Sequence, residues 1–398
     1  MLSKATKSAL TFSVTIFVGA ILVDPGDHVF HLKLPMLLLV MGLWICRILF
    51  GFIALDKYEI LNSVLLFAII VPGIATLIGL LGDSPLDGDP TFQLMKQVSV
   101  ILIIPVLASE RIDISKHIIR WCFIVAGFTI LLAALSFTAP LLFGALRDFA
   151  VNNDNAFITD YDKLGVGVGS FYYKTIAVLI FPAAYYLNRF LYSGNRLSNG
   201  AAVMLFLIAL LCAGSRAIAL CTFVLVAIYL FEKLWTKEGL VISLFLMLIV
   251  LYISAGYFMS FFHSSESSNA AKLDHIHSYE IEFTRHPTYL LWGQGADTQF
   301  YSEGFQDKTT LTELTYIEMV RWFGFPVAVL LLFIICFPAA LLMIRGDETS
   351  FMVGPFWAYL LESASNPLLI CSTGLLIVSA LWACVLMQNT GKRGNLAS

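Results

Sequence analysis

The sequence predicts an all-α, polytopic integral membrane protein of about twelve spans with one large loop between the ninth and tenth. Three observations carry that prediction. Of 398 residues 59% are hydrophobic, 13% are charged and 32 are phenylalanine, whereas soluble domains carry about a quarter charged residues. Apolar runs recur along the whole chain, and a helix of about 20 such residues crosses about 30 Å of hydrocarbon with every backbone N–H and C=O satisfied internally. Residues 260–322 form the only long water-compatible stretch. The chain therefore reads as a single transmembrane domain, 1–398, with 260–322 as a helical loop within it.

Taken in order, the spans run approximately Ala9–Val23, Leu34–Leu55, Ile60–Leu81, Leu94–Ser109, Ile119–Phe137, Lys174–Tyr192, Ala201–Ala213, Ala217–Leu234, Gly239–Met259, Phe323–Ile344, Phe351–Leu361 and Pro367–Met387. The first is followed by no small-x-small cleavage site and reads as a retained span, not a signal peptide. The pair around Arg216 is compatible with one broken helix. All seven cysteines (Cys46, Cys122, Cys212, Cys221, Cys336, Cys371 and Cys384) fall inside spans, where they act as small hydrophobes. Neither a disulfide nor a zinc site is expected.

Orientation follows from the retention of basic residues on the cytoplasmic side. Lys4, Lys7, Lys57, Arg111, Lys116, Arg120, Arg189, Arg196, Lys233, Lys237, Arg345, Lys392 and Arg393 fall on one side. The opposite loops carry acids instead, as in Asp24-Pro-Gly-Asp27 and Asp83 to Asp89. Both termini are thus expected to be cytoplasmic and the long loop external. A net charge of −3 says little in such a protein, and no nucleic-acid-binding patch is visible.

Two external regions are candidates for chemistry. Thr138–Tyr173 holds Arg147, Asn152-Asn-Asp-Asn155 and Gly165-Val-Gly167-Val-Gly169, with Lys174 just after it. The glycine element lacks the strand and βαβ unit of a nucleotide site. It reads as a flexible turn, or as backbone N–H groups approaching an anion at a helix start with Lys174 nearby. Arg216, in Gly214-Ser215-Arg216-Ala217, is a permanent cation between hydrophobic helices and needs a partner. That partner is an internal acid, the interface, or an anionic lipid headgroup such as a diphosphate, which guanidinium geometry suits. Arg47, deep in the second span, reads as half of a structural pair.

In the long loop, Pro287 to Asp297 reads as a short amphipathic helix ending in a glycine turn. Thr309–Trp322 reads as a second helix carrying Glu313, Tyr316, Glu318 and Arg321. Glu318 and Arg321 are three apart and can pair on one face, whereas Glu313 has no evident helical partner and is placed to accept a proton. His275-x-His277 is weak as a metal motif.

This arrangement resembles the superfamily of O-antigen polymerases and O-antigen ligases of bacterial envelopes. The resemblance rests on the loop position, on Gly214-Ser215-Arg216-Ala217, on Arg285-His286-Pro287 leading to Trp292-Gly293-Gln-Gly295, and on Glu313–Gly324 followed by Asn366-Pro367. It implies a glycosyltransferase of the bacterial inner membrane, without cofactor or metal. Its donor and acceptor would both be oligosaccharides linked to undecaprenyl diphosphate, with membrane lipid and a chain-length regulator protein as further partners. Carried onto this chain, Arg216 and Arg285 would hold the diphosphate, with Arg321 and Lys174 as further cations. Ligases place a histidine eleven residues before the glycine that opens the next span; here that position is Glu313. The resemblance therefore favours polymerase over ligase and makes Glu313 the general base, with Glu318 as fallback. Tyr289, Trp292, Tyr301 and Tyr316 are expected to stack on sugars or pack at the interface, and Arg147 to contact substrate. The rivals are a ligase, a metal-dependent transferase using Asp24 and Asp27, and a non-enzymatic lipid-linked glycan transporter.

Overall fold

The computed structural model describes residues 2–53, 89–158, 171–192, 196–213, 215–234, 267–296, 298–345 and 351–394. The expected spans Ile60–Leu81 and Gly239–Met259 and the element Gly165-Val-Gly167-Val-Gly169 lie outside them. Helices account for most of the described chain. The first half contains α1 (Leu2–Val23), α2 (Lys33–Leu49), α3 (Asp89–Val98), α4 (Ile103–Glu110), α5 (Ile114–Thr138) and α6 (Pro140–Asn152). After a two-stranded ladder, β1 (Ala156–Ile158) against β2 (Phe171–Tyr173), come α7 (Ile180–Tyr192), α8 (Arg196–Cys212) and α9 (Arg216–Leu234).

The polar segment holds α10 (Ser267–Arg285), α11 (Tyr289–Trp292), the hairpin β3 (Phe300–Ser302) with β4 (Asp307–Thr309), and α12 (Thr315–Phe323). The apolar helix α13 (Phe325–Arg345), then α14 (Val353–Ser363) and α15 (Ser372–Gly394), complete the chain. Among the described residues, three helices are long and apolar enough to cross a membrane: α1, α5 and α13. Shorter apolar runs, Ile176–Tyr192, Arg196–Cys212, Ala217–Tyr229 and Ser372–Met387, accompany them.

Local chemistry explains several boundaries. Asp113 caps α5, accepting Ser115 N–H at 3.2 Å, and Pro140 opens α6, where its missing N–H would have had no helical partner. Hydroxyls inside apolar helices bond back to their own carbonyls, as Thr129 does to Val125 O at 2.9 Å and Ser379 to Leu375 O at 2.7 Å, so they need no water. One buried core joins α1, α4, α5, α7, α8, α13 and α15. The expectation for Arg47 holds. Its guanidinium pairs with Glu110 on α4 and donates to Ser3 O at 2.7 Å and Thr6 Oγ1 at 2.5 Å, with both pair members buried.

The polar segment departs from the sequence reading. Thr309–Trp322 is not one helix: Phe300–Ser302 and Asp307–Thr309 pair antiparallel, Phe300 opposite Thr309, so the strand ladder claims Thr309. The helix starts at Thr315 because Thr312 Oγ1 is engaged by Tyr279 at 2.5 Å, and Thr309 and Leu311 bond each other in a tight turn. Glu313 consequently precedes the helix. Pro287 to Asp297 shortens to the four residues of α11, ended by Gly293 at φ 76°. The nineteen-residue α10 was not expected at all. The two short ladders also qualify the all-α class: the chain is mostly helical with small β hairpins.

Candidate functional site

The polar segment folds around Arg321. Its side chain is fully enclosed, and its Nη1 donates to Gln294 Oε1 and Thr298 O, each at 2.9 Å, while Nη2 donates to Thr310 O at 2.6 Å and pairs with Glu318. The guanidinium lies 4.6 Å from the Phe300 ring centroid, a cation–π distance. Tyr279, from α10, donates to Glu318 and stacks on Phe300 with centroids 5.0 Å apart. Burial pushes its phenol pKa up, as does the neighbouring Glu318 charge. Expected as a diphosphate contact, Arg321 presents no open face to one; expected as a fallback base, Glu318 is sealed beneath the same cation. Both serve to hold α10, β3, α11 and α12 together.

Two glycines complete that assembly. Gly293 and Gly324 both sit at φ 76°, a region side chains avoid. A Cβ on Gly293 would overlap the Trp322 carbonyl, and one on Gly324 the Leu291 carbonyl. Backbone contact this close lets Gln294 N donate to Arg321 O at 2.5 Å and Gly295 N to Trp322 O at 3.2 Å. The turn after Trp292 is thus locked to the start of α13.

Glu313, just before α12, has a different environment. Its carboxylate, 45% exposed, is 3.5 Å from Lys272 Nζ on α10. Glu362, a buried carboxyl on α14, accepts a hydrogen bond from Tyr172 Oη at 3.2 Å. The same end of α14 is tied to α12: Tyr316 Oη donates to Leu360 O at 2.6 Å and Thr315 Oγ1 to Asn366 O at 2.7 Å. Burial pushes the Tyr316 phenol up to about 12, so it stays a donor. α9 packs against α14 in antiparallel fashion, since Leu225 lies beside Gly354 while Cys221 senses the Glu362 charge. Arg216, the first residue of α9, is therefore at the end of the bundle that holds Glu362 and the start of α12.

Other expected residues are placed apart from that cluster. Arg285 ends α10 and is exposed; His286 stacks on Tyr289 at 4.9 Å; Trp292 is 70% exposed. Arg147 pairs with Asp148 at 2.8 Å and Lys174 with Asp154, so both cations have acidic neighbours within their own region. Tyr301 sits exposed on the hairpin. Asp27 is paired with Lys96 and accepts Lys33 N at 3.1 Å, while Asp24 accepts Val29 N at 3.1 Å and Phe30 N at 2.8 Å. These bonds give the two acids of the first connection a structural task.

Sequence reasoning missed Lys272, Tyr172 and Glu362. Glu362 carried a usable signal, an ionisable residue ending an apolar run just before Asn366-Pro367, since such residues mark functional sites by default. Lys272 carried none, because its helix was not foreseen. No family model, no curated protein and no solved structure matches this chain.

Proposed function

We propose that the chain is a membrane-embedded glycosyltransferase that polymerises lipid-diphosphate-linked oligosaccharide repeat units, as O-antigen polymerases do, at the extracytoplasmic face of a bacterial inner membrane. The observation that carries the reading is the half-exposed Glu313 carboxylate, 3.5 Å from Lys272, at the end of the bundle where the Arg216 helix begins. The sequence pattern that resembles the polymerase and ligase superfamily supports it independently. In the twelve-span arrangement with both termini cytoplasmic, this end faces outward.

The donor is the growing chain on its polyprenyl diphosphate, and the acceptor is a single repeat unit on a second carrier. Glu313 takes the proton from the acceptor hydroxyl, and that oxygen attacks the anomeric carbon from the face opposite the diphosphate. The new C–O bond forms as the bond from the anomeric carbon to the diphosphate oxygen breaks. The diphosphate leaves with the electron pair, its charge met by Arg216, and the configuration inverts. A half-exposed carboxylate is suited to this exchange, because it can lose its proton to water after each cycle. No nucleotide sugar enters, and the displaced carrier supplies the driving force.

The deciding experiment is the surface-glycan gel pattern of a deletion strain. A polymerase deletion leaves core carrying one repeat unit; a ligase deletion leaves bare core and lipid-linked polymer. An unchanged ladder, with every other surface polysaccharide at full length, overturns the reading. Glu313→Gln should lower chain extension about 10²- to 10⁴-fold, the span of general-base catalysis, with protein level and thermal midpoint unchanged.

A further inference from the structure

We propose that α11 is an interfacial foot: Leu290, Leu291 and Trp292 seat in the headgroup–acyl boundary of the bilayer leaflet on the side of the polar segment. The partner is the lipid surface itself, a role distinct from the sugar contact expected of Trp292.

α13 has 21 residues and a mean hydropathy of 3.0, the highest of the three long apolar helices. At 1.5 Å per residue it spans about 31 Å, which matches about 30 Å of hydrocarbon. Phe325 at its first position therefore marks one edge of the apolar slab and Arg345 the other. α11 is fastened at the Phe325 edge by the interlocked glycines Gly293 and Gly324 and by the hydrogen bonds from Gln294 N and Gly295 N to the carbonyls of Arg321 and Trp322. Its level is set by backbone contact and does not depend on side-chain rotamers.

At that level the exposed surface is apolar and continuous. Leu290, Leu291 and Trp292 are 40%, 57% and 70% exposed, and Phe325, Leu330 and Phe333 extend the surface down α13 at 59%, 56% and 61%. A tryptophan with an apolar body and one N–H donor suits the boundary between acyl chains and headgroups. Arg285 and His286, just before α11, are exposed polar residues beside it. By contrast Tyr301, equally exposed at 57%, belongs to a hairpin that packs on α10. The surface of α11 is an extension of the membrane-facing surface of α13, whereas that of the hairpin is separate from it.

The test places the photoreactive residue p-benzoylphenylalanine at position 292 of the full-length protein, in nanodiscs of phosphatidylethanolamine and phosphatidylglycerol, and reads the intact mass after irradiation. We expect an adduct of one phospholipid at position 292 and none when the same residue replaces Tyr301. If the variant at 292 does not elute as folded protein, the photoprobe at Leu290 gives the same readout. An absence of lipid adduct on α11, an equal yield at 301, or capture of added oligosaccharide in place of phospholipid overturns the proposal.

Discussion

The segment around α12 carries two acid–base pairs, and they differ in enclosure. Glu318–Arg321 is sealed, with the arginine at 0% and the glutamate at 2% side-chain exposure; Glu313–Lys272 is open, at 45% and 22%. In the sealed pair Gln294, Thr298 and Thr310 accept from the Arg321 Nη atoms and Tyr279 donates to Glu318, while Arg321 Nε is buried without a hydrogen-bond partner among the described residues. The open pair stands 3.5 Å apart, within reach of water. A cation enclosed among fixed acceptors cannot exchange partners without unfolding its surroundings, whereas an exposed pair separates at little cost. The first is architecture and the second is available for chemistry.

The sharpest way to break this comparison is to truncate each cation. Arg321→Met should destabilise the polar segment by about 3–5 kcal/mol, because it leaves Glu318 buried without its partner. Proteolysis within 267–323 and the thermal midpoint of the purified protein would read this out. Retention of the wild-type midpoint would mean that Arg321 is not a structural centre. The glycine lock comes next. Gly324→Ala and Gly293→Ala each force a side chain into positive φ, which costs about 1–3 kcal/mol, and each adds an overlap with a carbonyl, so loosening of the turn should accompany the loss.

Sequence alone reached the i, i+3 pairing of Glu318 with Arg321 and the structural pairing of Arg47, because helical spacing and the cost of a buried charge are local or nearly local arguments. It did not reach the enclosure. Arg321 is closed off by Gln294, Thr298 and Thr310, and their approach depends on a hairpin between Phe300 and Thr309 and on two glycines thirty-one positions apart, 293 and 324. Nor did it reach Lys272, whose helix is too polar to give an apolar period. Glu313 was legible as a residue free of helical pairing and illegible as the partner of a lysine 41 positions earlier. The pieces of the fold set by hydropathy were readable, and those set by long-range backbone contact were not.

The open pair sharpens the comparison from the other side. Lys272→Met should cost under about 1 kcal/mol of stability, the usual value of an exposed pair. Under the proposed reaction, losing the cation that stands 3.5 Å from Glu313 should lower the rate of chain extension while the thermal midpoint holds. A midpoint falling as far as that of Arg321→Met would erase the distinction between the two pairs.

The smallest effect is expected at a third pair of the segment, His277 with Glu303, whose Nδ1 and Oε2 stand 2.7 Å apart at the surface. The hydrogen bond to Glu303, reinforced by its charge, raises the imidazole pKa above its ordinary value. A raised folded-state pKa means that the native protein holds the proton more tightly than the unfolded chain does. The added stability is therefore fully present below the unfolded value near about 6.5 and is lost as pH rises through the raised folded value. Both groups are exposed, so screening keeps the increment small. Comparing wild type with Glu303→Gln, the midpoint difference should be larger at about pH 5.5 than at about pH 8, where it should vanish. A difference that grows toward alkaline pH would have the wrong sign for a protonated histidine, and would place the pair with the buried architecture around Arg321 instead of with the solvated rim.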